Sequence, residues 1–110
     1  MNVDFKGINE NVATFVADET VEAGMFVKII GDGTVGACSS NDEIIGLCVN
    51  VRDGYAAVQI SGYMEANTTS SMGTGYIKFL ANDPKTITPG TSSRSYLVVC
   101  SKDNKIGFIL

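Results

Sequence analysis

From Val12 onward, apolar side chains recur at every second position in short runs, and turn-forming residues separate the runs. Alternation of this kind marks β-strands, and nowhere does the period of an amphipathic helix persist. Val12 to Ala17 is β-branched and aromatic. Met25 to Ile30 sets Met25, Val27 and Ile29 on one side with Lys28 toward water, so both segments predict strands. Gly31-Asp32-Gly33 tolerates positive φ and Thr34 to Cys38 returns, which predicts a first hairpin. Ile44 to Val51 is apolar on both faces and reads as a central strand, with Gly46 permitting a close backbone approach. Asp53-Gly54 is a second hairpin turn. Tyr55 to Glu65 then predicts one half-buried strand, with Val58, Ile60 and Met64 on one face and Gln59, Ser61 and Glu65 on the other.

The second half is less regular. Asn67 to Gly75 is a Ser/Thr/Gly loop, and Tyr76 to Leu80 fits either a strand or a single helical turn. Asn82 to Ser93, which carries both prolines, reads as an irregular connection. Tyr96 to Cys100 and Ile106 to Leu110 form a last hairpin around Lys102-Asp103-Asn104. The expectation is an all-β chain folded as a small barrel or sandwich. Met1 to Asn11 is polar apart from Val3, Phe5 and Ile8 and reads as a flexible N-terminal arm, which leaves residues 12–110 as a single β-rich domain.

Composition narrows the function. The chain has 110 residues, enough for one core. Its net charge of -4 offers no electrostatic footprint for nucleic acid. The charge is uneven: Met1 to Tyr55 holds nine acids and three bases, while Ala56 to Leu110 holds three acids and five bases. Cys38, Cys48 and Cys100 are an odd number without C-x-x-C spacing, so they read as reduced thiols, filling space as small hydrophobes in a protein made in a reducing cytoplasm. No apolar run approaches the length of about 18 residues that spans a bilayer.

Candidate chemistry is thin. With no histidine, Ser/His/Asp and Cys/His schemes cannot be built, and no fourth ligand joins the cysteines around a metal. Asp32-Gly33-Thr34 has the wrong order for an aspartic protease. Asp18-Glu19 and Asp42-Glu43 are adjacent carboxylates that a strand would aim to opposite sides. Gly31-x-Gly33 and Gly73-x-Gly75 lack the third glycine and the helix of a nucleotide site, and Asn67-Thr68-Thr69 matches a glycosylation acceptor in form only. The expectation is a protein with no catalytic residues, cofactor or metal.

Four segments carry a resemblance: Val21-Glu22-Ala23-Gly24-Met25-Phe26-Val27-Lys28, Gly31-Asp32-Gly33-Thr34-Val35, Ile44-Ile45-Gly46-Leu47, and Val58-Gln59-Ile60-Ser61-Gly62. Over about Val12 to Glu65 the chain resembles the head decoration, or capsid-cementing, proteins of tailed bacteriophages of the lambda type. The second half matches by strand pattern only. The resemblance implies a β-clip-like (β-tulip) body forming a homotrimer on the outer surface of the virion. There it would bind the expanded lattice of the major capsid protein and stabilise the shell, with the arm ordering against that protein. Val3 and Phe5 fall on one face of an extended arm, and with Ile8 they are the expected partner-binding side chains. Neither nucleic acid nor membrane is an expected partner. Two other classes compete: a β-clip-type carbohydrate-binding or adhesion module, which wants Tyr55, Tyr63, Tyr76 or Tyr96 grouped on one face, and a small enzyme subunit completed by a partner.

Overall fold

Strand signals at short intervals have one physical outlet, which is to pair with one another until few edges remain. In the structure of the protein, a computed structural model, residues 11–110 are described and form eleven strands without a helix among them. β1 (Asn11–Ala17), β2 (Phe26–Gly31), β3 (Thr34–Ala37), β4 (Gly46–Arg52) and β5 (Tyr55–Ser61) close a barrel in the order β1-β3-β2-β4-β5. β6 (Tyr63–Thr68), β7 (Gly75–Ile77), β8 (Phe79–Asp83), β9 (Thr86–Pro89), β10 (Tyr96–Lys102) and β11 (Lys105–Ile109) form an open half-barrel sheet, ordered β7-β10-β11-β6-β9-β8. The all-β single domain expected from the sequence is observed, as a barrel rather than a sandwich.

The predicted hairpins form for the stated reasons. Asp53 and Gly54 both adopt positive φ, 53° and 80°, the left-handed pair that matches the twist of two antiparallel strands. Gly33 and Asp103 take the same region in the β2–β3 and β10–β11 turns. A Cβ on Gly46 would overlap the carbonyl oxygen of Gln59, so the close approach of β4 to β5 needs glycine there.

Several expectations are corrected. Tyr55 to Glu65 is not one strand. Gly62, at φ 99°, breaks it into β5 of the barrel and β6 of the half-barrel, and the alternation predicted across it fails. Gln59 is buried and its amide donates to the carbonyls of Ser61 and Tyr63, at 3.1 and 3.0 Å, satisfying backbone acceptors around the break. Ile60, at the barrel's end, is exposed. Likewise Met25 to Ile30 does not have one apolar face. Phe26 and Val27 are both buried, each in a different core, while Ile29 and Ile30 are exposed. Tyr76 to Leu80 resolves into two strands, β7 and β8, parted at Lys78. The supposedly irregular Asn82 to Ser93 contains β9, which pairs parallel with β6, its prolines standing in the β8–β9 turn and at the strand's end where no ladder donor is needed.

Two cores result. Val27, Val35, Cys48, Ala56 and Val58 fill the barrel, with Phe15 and Val51 packed against them. The larger core lies under the half-barrel and is built on aromatic rings. Phe79 stacks on Tyr96 at 4.2 Å, and Phe108 meets both edge-on at 5.1 and 5.9 Å. Such pairs contribute about 1 kcal/mol each beyond the area they bury.

Candidate functional site

The carboxylates that could have done chemistry are tied into loops. Asp18 accepts from the hydroxyl and amide of Thr20, which holds its carboxyl below the usual range. Asp42 accepts from Lys28 Nζ at 2.7 Å and from the amide and hydroxyl of Ser39 at 2.8 Å; Lys28 foremost, then Ser39, lowers it to about 2. Glu43 accepts from the Ser93 hydroxyl and amide, with the same downward effect. Asp32 sits in the β2–β3 turn, where its carbonyl accepts from the Thr34 hydroxyl. No group of three or more metal-ligating side chains gathers among the described residues. Cys38 and Cys48 are buried, and burial pushes the Cys38 thiol up to about 12. Cys100 departs from the expected role of core filler, being exposed on the half-barrel's outer surface.

What the fold does present is two outward faces with distinct character. On the half-barrel, the register places Tyr76, Leu97, Ile109 and Tyr63 in one row across β7, β10, β11 and β6. Four strands at about 4.8 Å spacing make this apolar row about 14 Å long. Tyr76, 76% exposed, is the most exposed large hydrophobic residue described. The next row, Cys100–Gly107–Glu65, forms the floor of a hollow of about 480 Å³ whose rim carries Lys102 and Lys105. A Cβ on Gly107 would collide with the Tyr63 hydroxyl and Cys100 Sγ. That hydroxyl donates to Glu65 at 3.0 Å and lies 3.6 Å from Cys100 Sγ; burial first, then Cys100 and Glu65, pushes the Tyr63 phenol up. Lys105 approaches Glu65 at 3.7 Å.

The barrel's outer face carries a second apolar group, with acidic turns at its edge and Arg52 of β4 across from Tyr55. Val16 pairs with Tyr55 across β1 and β5, 45% and 55% exposed, and Val12 lies on the same face of β1. Acidic turns gather at this end of β1. The Val16 amide donates to Gly33 of the Asp32 turn at 2.8 Å, the Ala17 amide donates to Gly54 of the Asp53 turn at 2.9 Å, and Asp18-Glu19 follows directly.

Val3, Phe5 and Ile8, the side chains expected to bind a partner, lie outside the described residues, as does the arm except for Asn11, which opens β1. The tyrosines are divided: Tyr96 is buried in the larger core, Tyr55 is on the barrel, and only Tyr63 and Tyr76 share a row. That row was hidden from sequence reasoning because it crosses strands distant in the chain. Its one visible signal was the outward parity of Leu97 and Ile109 in the last hairpin.

Taken together these features define a class by architecture: a one-domain, all-β protein in which a closed five-stranded barrel runs into an open half-barrel. Among solved structures the same architecture occurs in the N base of head fiber gp8.5 of bacteriophage phi29, with a TM-score of 0.59 over 92% of this chain and 93% of that one. Identity between the two is 13%, so the likeness is one of fold. No protein family profile and no curated protein sequence matches the chain.

Proposed function

We propose that this chain is a structural component of a bacteriophage or prophage head, a non-catalytic decoration protein. In this reading it binds the expanded lattice of the major capsid protein as a homotrimer and stabilises the shell from its outer surface. The observation that carries the reading is the fold shared almost end to end with the base of a phage head fiber, joined to the resemblance of Val12 to Glu65 to head decoration proteins. A module with an apolar row ending in the exposed Tyr76 on one face and the exposed Val16–Tyr55 pair on another suits such a role. Selective binding to the mature lattice would stabilise it by mass action.

The test mixes full-length protein, and a variant lacking residues 1–10, with expanded shells of the cognate phage and sediments them. Removing ten residues keeps Asn11, which opens β1 and donates from its side-chain amide to Ser61. The full chain is expected in the pellet and the shortened one in the supernatant. Absence of both from the pellet would overturn decoration as the function, and equal binding would relieve Val3, Phe5 and Ile8 of the anchoring role.

A further inference from the structure

The two outward faces are complementary, and they belong to one chain. Residues 11–61 carry seven acidic and two basic side chains, whereas residues 62–110 carry three acidic and five basic. On the half-barrel, Lys102 and Lys105 stand directly opposite each other in the β10–β11 register. Like charges so placed repel, and Glu65 reaches only Lys105. An acidic surface laid on this face would relieve that repulsion. On the barrel, Asp32, Asp53 and Glu19 are exposed around the Val16–Tyr55 pair, and no ion pair among the described residues engages them. One face is thus an apolar row with Lys102 and Lys105 at its rim and Glu65 and Asp103 beside them, the other an apolar pair with Asp32, Asp53 and Glu19 around it and Arg52 of β4 across from Tyr55.

We propose that the acidic end of the barrel, around Val16 and Tyr55, docks on the half-barrel row Tyr76–Leu97–Ile109–Tyr63 of a second copy, with Asp32 and Asp53 answering Lys102 and Lys105. This contact is heterologous: each copy offers one face and accepts the other. Repetition therefore closes a ring if the rotation permits and would otherwise run on as a filament. The inference deepens the self-association in the proposed function, but it needs no shell. Its failure in free solution is therefore distinct from failure to sediment with capsids.

The experiment is sedimentation equilibrium on the full chain and two variants with opposite defects. Lys102→Glu with Lys105→Glu spoils the half-barrel face and leaves the barrel face intact. Asp32→Asn with Asp53→Asn does the reverse and supplies no lysine for the new glutamates to attract, asparagine being tolerant of the positive φ at 53. The wild type is expected to associate in low salt and weaken at least tenfold in high salt. Each variant alone is expected to be monomeric, and their equimolar mixture to form a heterodimer that grows no further, because one good contact remains. Tyr76→Ser, at an exposed edge position where loss of fold is not in question, is expected to weaken association by the same order and covers the case in which the double lysine variant fails to fold. A wild type that stays monomeric to millimolar concentration, variants that associate like the wild type, or folded variants whose mixture remains monomeric would each overturn the proposal. Specific binding of Tyr76 and the lysines to a glycan or to capsid protein without self-association would do so as well.

Discussion

Asp42 shows how one of two adjacent carboxylates, without chemistry in the sequence, takes a structural role in the fold. It gathers Lys28 from β2 and both polar groups of Ser39, fixing the loop whose backbone then bonds the edge of β8 through Asn41 and Asp42 to Ala81. Because its folded pKa is lowered to about 2, this stabilisation is present above the carboxylate's unfolded pKa of about 4 and is lost as pH falls through the folded value. Between about pH 4 and pH 2, urea midpoints of the wild type should therefore fall more steeply than those of Asp42→Asn, with the two curves converging at the acid end. Parallel curves over that window would show that Asp42 contributes nothing through ionisation. Asp18 and Glu43 act in the same direction through Thr20 and Ser93, so the variant should flatten the acid limb without abolishing it.

The hairpins carry the local information most plainly. In the β4–β5 turn Gly54 sits at φ 80°, where a Cβ is strained whatever the space around it. Gly54→Ala should accordingly cost about 1–2 kcal/mol, read as a lower chemical-denaturation midpoint with an unchanged slope. A variant as stable as the wild type would mean that the turn had relaxed to another type. Such turns were legible in the sequence because a two-residue loop depends on its own residues alone, and the Gly46 approach was legible because a missing side chain inside an apolar run has few other uses. The break at Gly62 was not. Val58, Ile60 and Met64 keep perfect alternation, and only the exchange of sheets at the glycine leaves Gln59 covered and Ile60, at the barrel's end, exposed. β9 was hidden by its prolines, which mark loops in general but here stand at the two places a strand tolerates them. The outward row of the candidate site depends on register between β7, β10, β11 and β6, a property of tertiary pairing that no local window contains.

Over the whole molecule, β2 joins the two cores, with Phe26 in the larger and Val27 in the smaller, and the β5–β6 ribbon runs from one sheet into the other. Shared elements of this kind should make unfolding a single transition. Phe79→Ala, emptying a fully buried site in the larger core, is expected to cost about 3–5 kcal/mol and to lower hydrogen-exchange protection of Cys48 and Val58 amides in the barrel by a comparable amount. Barrel amides that keep their protection would show two independently melting halves. Asn11 pairs with Ser61, and Leu110 exchanges backbone hydrogen bonds with Gly62, its amide donating at 3.0 Å and its carbonyl accepting at 3.4 Å, so both ends of the described chain are pinned to adjacent residues of the same kink. The backbone path is nearly circular. Sewing residue 110 to residue 11 through a short linker and opening the chain at an exposed Ser/Thr tip such as Ser70-Ser71 would give a permuted protein with the same contacts, and cargo joined beside residue 11 or residue 110 would emerge from one shared port.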